Sequence, residues 1–333
     1  MADRIPVLVT GITGMLGSNI ARALLEDPCK DVYGLVRWRS HMGNLAGLLD
    51  SLELVYGDVT DDYRMREVIG NIKPRYIYHF AAQAINSVSF ASPKVTLDVN
   101  VHGCLSLVEA IRSAGLEKKC RIIFAGSSTA YGRTADTWEG KIPETAPLQP
   151  VSPYGVSKVS GEFLLKQYFY SHGIEVIIAR FFIHVAPGGT DNLALQAFSR
   201  QVAMIEAGLV PPVLKHGNLA TLRDTTDIRD SAPVVVKLGE IGVPGEVYNV
   251  GTGHAWAMRD LLDAVLAQSN VKITLEQDPS KLRVYDEKVL LADNSKLREL
   301  TGWVPNPNMN GTIAAILNYW RQEVQLRYPP RSA

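Results

Sequence analysis

The sequence predicts an α/β fold built on a doubly wound parallel sheet, and three observations support that prediction. Short apolar runs rich in Val and Ile alternate with longer segments of helical periodicity along residues 1–180. The apolar runs lack the polar alternation of half-exposed strands, as is typical of strands buried on both faces. A glycine-rich loop separates the first apolar run from the first helical segment, in the strand–turn–helix order of such sheets.

Each element of this first part follows from its own pattern of apolar residues. The predicted strands are Pro6–Thr10, Asp31–Val36, Leu52–Tyr56, Tyr76–Phe80, Arg121–Ala125 and Glu175–Arg180. The predicted helices are Ser18–Leu25, Tyr63–Ile72, Thr96–Ala114 and Pro153–His172. After residue 180 the alternation loosens, with predicted helices at Asn192–Gly208, Met258–Ser269 and Ile313–Leu326. The segments Thr226–Leu238 and Val247–Val250 are predicted to return to the sheet or its edge.

Composition limits the classes of partner that this chain is expected to bind. Lys+Arg and Asp+Glu each total 34 in 333 residues, so the formal net charge is zero and favours neither nucleic acid nor an anionic membrane. Three widely spaced cysteines form no metal-binding pattern and fit a reducing cytoplasm. No apolar window is long enough to span a bilayer, and the N-terminus lacks a signal-peptide pattern. We therefore expect a cytoplasmic protein without a metal, a membrane or a nucleic-acid partner.

The loop after the first strand predicts a dinucleotide site. Gly11, Gly14 and Gly17 form a GxxGxxG pattern that opens a helix. The first glycine allows the tight turn, the second lets the backbone approach a pyrophosphate, and the third allows close helix packing. The helix N-terminus then faces the anion. The intervening loop residues are included in the predicted site, namely Thr13, Met15 and Leu16.

The ends of the next strands predict which dinucleotide binds and how. Arg37 follows the second strand, where NAD-specific proteins commonly have an acid, and a cation there suits the 2′-phosphate of NADP. NADP(H) is therefore favoured, with NAD(H) as the alternative. Asp58 and Val59 follow the third strand, where the carboxylate is placed to meet the adenine amino group. The fourth strand ends in small or polar residues suited to contact the cofactor, Ala81, Ala82 and Gln83.

A YxxxK pair predicts the catalytic centre. Tyr154 and Lys158 are four residues apart at the start of a helix, which places both on one helix face. A neighbouring ammonium is expected to lower the pKa of the phenol from its usual value near 10, so that Tyr154 transfers a proton while a nicotinamide transfers hydride. Ser127, Ser128 and Thr129 follow the fifth strand at the ligand-binding end of the sheet, and a hydroxyl there can bond the reacting oxygen.

Together these residues resemble the extended short-chain dehydrogenase/reductase family over nearly the whole chain. The resemblance is strongest to the branch of GDP-mannose 4,6-dehydratases and GDP-4-keto-6-deoxy-D-mannose reductases. The segments that carry it are AAQAINSVSFASP from Ala81, VNVHG from Val99, PVSPYGVSK from Pro150, RFFIHVAPGG from Arg180, GNLATLRDTTDIRD from Gly217 and DNSKLRELTGW from Asp293. The last two are more similar to the reductases than to the dehydratases.

The resemblance implies a Rossmann domain and a smaller C-terminal α/β substrate-binding domain. The NAD(P)-binding domain is expected to comprise residues 1–180 plus about 224–250, and the nucleotide-sugar-binding domain residues 181–223 plus about 251–333. Asn100 would be the buried asparagine that holds the catalytic helix, and Phe181 would contact the cofactor. The substrate-binding residues implied by the resemblance are Ser128, Thr129, His184, Gln201, Arg223 and Arg283, of which the two arginines would hold the pyrophosphate.

Two departures from the family pattern bear on the reaction. Dehydratases of this branch need a carboxylate to remove the proton from sugar carbon 5, and the matching position here is Thr129. A threonine hydroxyl is a poor base, which disfavours 4,6-dehydration; sugar 4-epimerases also carry a threonine in a similar segment. The second departure is Ile183, where the branch usually has an asparagine that contacts substrate, so the sugar is expected to differ from the usual one.

The leading hypothesis is therefore NADPH-dependent reduction of a nucleotide-linked 4-keto-6-deoxy sugar, with GDP the favoured nucleotide. A 4-epimerase is the second hypothesis, and a dehydratase with a substitute acid from around Asp136 and Glu139 is the third. A non-catalytic dinucleotide-binding sensor is the alternative outside enzymes. A homodimer or a dimer of dimers is expected, formed by the helices Thr96–Ala114 and Pro153–His172, as is common in the family.

Overall fold

The computed structural model describes residues 4–283 and 285–329. Its strands are β1 (Ile5–Thr10), β2 (Lys30–Val36), β3 (Glu53–Tyr56), β4 (Tyr76–His79), β5 (Arg121–Ser127), β6 (Glu175–Phe181), β7 (Ile183–Val185), β8 (Val213–His216), β9 (Leu222–Asp227), β10 (Val247–Val250), β11 (Ala255–Ala257), β12 (Thr274–Gln277) and β13 (Val289–Leu290). Its helices are α1 (Met15–Leu24), α2 (Asp62–Ile72), α3 (Asn86–Ala91), α4 (Pro93–Leu97), α5 (Gly103–Ser113), α6 (Thr134–Thr137), α7 (Pro153–His172), α8 (Ala194–Glu206), α9 (Ile228–Ile241), α10 (Met258–Leu266), α11 (Ser295–Thr301) and α12 (Asn310–Arg327).

The main sheet confirms the predicted doubly wound architecture. Seven strands lie in the order β10-β6-β5-β4-β1-β2-β3, and every neighbouring pair is parallel. The strand order reverses between β1 and β4, which creates the crevice where open α/β sheets bind ligands.

Both faces of this sheet are buried under helices. Val7 and Val9 belong to the core shared with α1 and α9, whereas Leu8 belongs to the core shared with α2, α5 and α7. In β4, Tyr78 belongs to the first of these cores and Ile77 to the second. Successive side chains of a strand point to opposite faces, so burial on both faces requires the continuous apolar runs seen in the sequence.

The C-terminal part forms two smaller sheets and a third core. Strands β7, β9, β11 and β13 make one sheet, while β8 pairs with β12. Helices α8, α10 and α12 pack around a core that includes Val202, Leu262 and Leu317. None of the described helices combines the length and apolarity needed to cross a membrane.

Two predicted elements differ from the structure. Thr226–Leu238 does not return to the main sheet: β9 ends at Asp227 in a small sheet, and the remainder forms α9, whose apolar face covers the main sheet instead. The segment predicted as one helix, Thr96–Ala114, contains a π-helical turn at Asp98–His102 between α4 and α5. Such turns are frequent at functional sites, and this one contains Asn100.

Candidate functional site

The glycine loop after β1 has the geometry of a dinucleotide cradle. Gly11 has a φ of +69°, and a Cβ there would lie 2.6 Å from the backbone N of Ala81. A Cβ on Gly17 would lie 2.3 Å from the Gly11 carbonyl oxygen. The loop and the first turn of α1 therefore pack so closely that side chains at these two positions are excluded.

The N-terminus of α1 is open to an anion. Gly14 precedes the helix and has no side chain to cap the first-turn N–H groups of Met15, Leu16 and Gly17, and the first turn contains no acidic residue. The carbonyl of Thr13 accepts a hydrogen bond of 3.0 Å from Asn44, whose amide also bonds the Gly188 carbonyl. Because the donors and the local dipole both favour negative charge, the residues present fit a pyrophosphate.

The ends of β2 and β3 carry the residues predicted for the adenosine portion of the cofactor. Arg37 is exposed just beyond β2, and its neighbour Trp38 is 75% exposed with the Arg39 guanidinium 4.1 Å from its ring. One carboxylate oxygen of Asp58 accepts the N–H and the hydroxyl of Thr60. Val59 is buried under the helical segment that contains Gly103, so its role is packing.

The end of β4 is joined to the catalytic helix through Asn100. The N–H of Ala81 donates to the Thr10 hydroxyl, which orders the backbone that continues through Ala82. Asn100 accepts the N–H of Gln83 at 2.8 Å and donates to the Ser157 hydroxyl at 2.8 Å. Asn100 thus links the end of β4 to α7, in the position that the family resemblance implied.

Ser127, Tyr154 and Lys158 meet at the carboxyl end of β5. The Ser127 hydroxyl is close enough to the Tyr154 phenol to lower its pKa, and the Lys158 ammonium lies 5.8 Å from the Tyr154 ring centroid. Lys158 donates a 2.8 Å hydrogen bond to the Ala125 carbonyl and lies 5.1 Å from the ring of Phe124. Ser128 is buried directly after Ser127.

The electrostatics of this centre differ from the sequence-based expectation. Burial raises the pKa of Tyr154 to about 12, and Ser127 acts to lower it. Burial also lowers the pKa of Lys158 to about 8. The Tyr154 pKa is therefore raised, contrary to the expected lowering by Lys158, because desolvation of the phenol is the largest effect and Lys158 is not among the groups that act on it.

A second buried polar layer lies behind Lys158 and was not predicted from the sequence. His79 at the end of β4 contacts the Thr10 hydroxyl at 2.8 Å and the Cys104 thiol at 3.6 Å. Burial and, to a smaller extent, Lys158 lower the pKa of His79 to about 3, so the ring is neutral.

A buried ion pair holds α7 one helical turn beyond Lys158. Arg180 of β6 makes two hydrogen bonds of 3.0 and 2.6 Å with Glu162 of α7. Arg180 also donates to the Tyr131 hydroxyl and to the Glu144 carbonyl, both at 3.0 Å. Glu162 lies four residues after Lys158, and that spacing was the available sequence signal for a residue sharing its helix face.

The two arginines predicted for a substrate pyrophosphate are brought together by one carboxylate. Arg223 is buried and lies 2.7 Å from Asp286, while the exposed Arg283 lies 3.7 Å from the same oxygen. Burial lowers the pKa of Arg223, whereas Asp286 and Glu287 act to raise it. Asp286, three residues after Arg283, was missed from the sequence.

Two residues predicted to contact the substrate use their polar side-chain atoms in hydrogen bonds within the protein. Both ring nitrogens of His184 are bonded, to the Phe182 carbonyl at 3.1 Å and the Ser231 hydroxyl at 3.0 Å. Burial lowers the His184 pKa to about 4. The Gln201 side-chain amide donates to the Lys215 carbonyl and accepts from the Lys215 N–H, so it holds β8. The geometry supports structural roles for both residues.

Phe181 and Ile183 line the junction between the main sheet and the β9 sheet. Phe181 is buried at the end of β6, with its ring centroid 4.9 Å from that of His184 and 5.7 Å from that of Phe80. Ile183 is partly buried in β7, which pairs with β9. Within residues 4–283 and 285–329, no group of His, Cys, Asp and Glu side chains could hold a metal ion.

Comparison with known proteins places this site in a family. The family model for GDP-mannose 4,6 dehydratase matches residues 8–316. A GDP-6-deoxy-D-mannose reductase from Pseudomonas aeruginosa is 29% identical over 252 residues, covering 76% of this chain and 82% of the relative. The GDP-mannose 4,6 dehydratase 1 of Arabidopsis thaliana is 31% identical over 314 residues, covering 90% and 84%.

A solved structure agrees with this placement. RMD from Pseudomonas aeruginosa, complexed with NADPH, superposes with a TM-score of 0.80 at 25% identity, covering 96% of this chain and 100% of that one. The family match spans nearly the whole chain and includes both the glycine loop and the Tyr154–Lys158 pair. This protein therefore belongs to the GDP-mannose 4,6-dehydratase family of the extended short-chain dehydrogenases/reductases.

Proposed function

We propose that this protein reduces a nucleotide-linked 4-keto-6-deoxy sugar, with GDP as the nucleotide, at the expense of NADPH. The observation that carries the proposal is Thr129, which stands where the family's dehydratases have a carboxylate and whose hydroxyl is bonded to Ser127 at 2.9 Å. Reduction needs one hydride and one proton, and a site with a single proton donor is sufficient for it. The similarity to the Pseudomonas aeruginosa reductase supports the proposal, whereas the similarity to dehydratases is equally close.

The protonation state of Tyr154 suits the reductive direction. A bound nicotinamide, when reduced, supplies the hydride that is added to sugar carbon 4. Tyr154 then donates its proton to the oxygen on that carbon, and Ser127 hydrogen-bonds the same oxygen. Since burial raises the Tyr154 pKa to about 12, the phenol carries its proton at neutral pH and is ready to act as the acid. Epimerases and dehydratases begin with the opposite step, removal of a proton by the phenolate.

The substitute acid of the dehydratase hypothesis is engaged elsewhere. Both carboxylate oxygens of Asp136 accept hydrogen bonds, from the Tyr285 hydroxyl and from the Lys288 N–H. Glu139 is exposed. Because Asp136 is committed to these two donors, reduction is favoured over dehydration.

NADP(H) is the dinucleotide that we propose. The exposed Arg37 and Arg39 beyond β2 offer two cations near the expected ribose position, and a 2′-phosphate would bind them. Replacing Arg37 by Glu should weaken NADPH binding at least tenfold and leave NADH binding within a fewfold, as measured by nicotinamide fluorescence. Equal NADPH affinity of the parent protein and of Arg37→Glu would contradict this preference.

The decisive experiment combines purified protein, GDP-4-keto-6-deoxy-mannose and NADPH. We expect loss of reduced nicotinamide together with one equivalent of GDP-6-deoxyhexose, identified by mass and NMR. Tyr154→Phe should abolish turnover while retaining NADPH binding, which separates an enzyme from a dinucleotide-binding sensor. Absence of NADPH oxidation by the parent protein would rule out the reductase.

A 4-epimerase is the second candidate, supported by the threonine that it shares with this chain at position 129. An epimerase would interconvert nucleotide sugars without net consumption of NADPH and would retain a copurifying dinucleotide. Conversion of GDP-mannose in the presence of NADP alone would instead identify a dehydratase.

We propose further that the protein is a homodimer through the outer face of α7 and the preceding helices. Val156, Phe163 and Tyr170 recur at every seventh position of α7 and are 43%, 58% and 76% exposed. Leu105 of α5 adds a further exposed apolar side chain to this face. Phe163→Glu should give a monomer by light scattering, whereas Val304→Glu, at an exposed site outside this face, should not. An unchanged mass for Phe163→Glu would contradict the interface.

We also propose a cytoplasmic location, since Cys29, Cys104 and Cys120 are all free thiols.

A further inference from the structure

The Ser127 hydroxyl oxygen accepts hydrogen bonds from two donors of one residue, Thr129. The N–H of Thr129 donates to Ser127 Oγ at 3.2 Å, and the Thr129 hydroxyl lies 2.9 Å from the same atom. A serine oxygen has two lone pairs and one proton. When Thr129 fills both lone pairs, the Ser127 proton has to be donated to a third group.

The phenol of Tyr154 is the neighbouring group available to accept that proton, and Ser127 is the one side chain that acts to lower its pKa. A phenolate accepts hydrogen bonds and cannot donate one, so a Ser127 proton directed at the phenol oxygen stabilises the ionised phenol. The arrangement thus defines a chain of donation from Thr129 to Ser127 to Tyr154.

The backbone holds Thr129 firmly against the start of α7. A Cβ on Gly155 would lie 2.8 Å from the Thr129 carbonyl oxygen, so the turn after β5 and the first turn of the catalytic helix are in close contact. Ser152 caps this helix by accepting the Gly155 N–H at 3.0 Å. The distance between Thr129 and Tyr154 is therefore set by the fold.

We propose that Thr129 is a positioning residue that fixes Ser127 as a hydrogen-bond donor, directed at Tyr154 in the free protein and at the oxygen on the reacting sugar carbon when substrate is bound. This inference rests on the proposed reduction and assigns a specific task to the hydroxyl that replaces the dehydratase carboxylate. During reduction that sugar oxygen gains negative charge, and a donor already oriented towards it stabilises the transition state. Without the Thr129 hydroxyl, the Ser127 proton can rotate away from the reacting oxygen.

Three variants test the proposal. Thr129→Val removes the hydroxyl and keeps the side-chain shape, while Thr129→Ser keeps the hydroxyl. Thr134→Val is the matched control, because Thr134 is a nearby threonine whose hydroxyl bonds the Pro147 carbonyl outside the site. Thermal melting establishes that each variant is folded before it is assayed.

Thr129→Val should lower kcat about 10- to 100-fold, the range expected for losing an oriented hydrogen bond to a developing charge. KM for the sugar nucleotide should change by no more than about twofold, and Thr129→Ser should restore kcat to within about threefold of the parent. A loss of similar size in Thr134→Val, or equal kcat for the Val and Ser variants, would overturn the proposal.

A second measurement is independent of the substrate. The onset of Tyr154 ionisation is obtained from tyrosinate absorption, as the difference between each protein and its Tyr154→Phe counterpart, over the alkaline range where circular dichroism remains native. Thr129→Val should move this onset upward by about one pH unit, equivalent to a tenfold change, and Thr129→Ser should not. Lys158, which lies beside the Tyr154 ring, is unchanged in every variant.

The two measurements separate the proposals from each other. If the parent protein leaves GDP-4-keto-6-deoxy-mannose unreduced but the ionisation onset shifts as expected, the reductase fails and the positioning role of Thr129 stands. If the onset is the same in parent and Thr129→Val, the positioning role is refuted whatever the substrate.

Discussion

The ion pair between Glu162 and Arg180 provides a stringent test of how the catalytic helix is held. The side chains are 2% and 3% exposed, and the pair joins α7 to β6 through two hydrogen bonds. Glu162→Gln leaves the buried guanidinium with neutral acceptors only, namely the new amide oxygen, the Tyr131 hydroxyl and the Glu144 carbonyl. Breaking a buried pair by removing one charge costs about 3–5 kcal/mol.

For a chain of this size each kcal/mol lowers the melting temperature by about 2 °C, so Glu162→Gln should melt roughly 6–10 °C below the parent. The assay is scanning calorimetry at neutral pH. The control is Glu323→Gln, which breaks an exposed pair with Arg327 in α12 and should shift the melting temperature by about 1 °C or less.

Replacing both partners distinguishes an uncompensated charge from lost packing. The double variant Glu162→Leu with Arg180→Met removes both charges and should be more stable than Glu162→Gln alone. If Glu162→Gln melts within about 1 °C of the parent, the reasoning fails, because the pair then contributes no more than an exposed one.

Three further predictions concern the site. Gly17→Ala places a Cβ 2.3 Å from the Gly11 carbonyl oxygen and should abolish dinucleotide binding in a fluorescence titration, whereas Gly70→Ala, where a Cβ meets open space in α2, should leave binding unchanged. Lys158→Met should abolish turnover yet raise the melting temperature at pH 7. The Lys158 pKa is lowered to about 8, which means that the buried ammonium destabilises the fold below that pH. The gain in melting temperature of Lys158→Met over the parent should therefore shrink as pH rises from 8 towards 10.5. Arg223→Met should weaken GDP binding at least tenfold by calorimetry while NADPH binding stays within about twofold; equal loss of both ligands would indicate misfolding instead.

The parts of the site that are local in sequence could be predicted from it. The glycine loop and the Tyr154–Lys158 pair depend on short spacings within one turn or one helix, and the structure retains both. The parallel sheet was equally predictable, since burial on two faces imposes apolar runs that are visible residue by residue. The segment Thr226–Leu238 was misassigned because a buried helix face and a buried strand have similar composition over a short run.

What only the tertiary structure decided was the environment of each functional group. The family resemblance implied substrate contacts for His184 and Gln201, but their polar atoms are satisfied by Ser231 and the Lys215 backbone, which lie on other elements of the fold. The pKa of Tyr154 also depends on the tertiary structure. Desolvation of the phenol is caused by every element packed around it, and the residues next to Tyr154 in the sequence do not reveal it. The sequence by itself determined the fold and predicted the residues that we propose carry the chemistry. Their hydrogen-bond partners and their charge states depend on contacts between distant segments, and those arise only when the chain is folded.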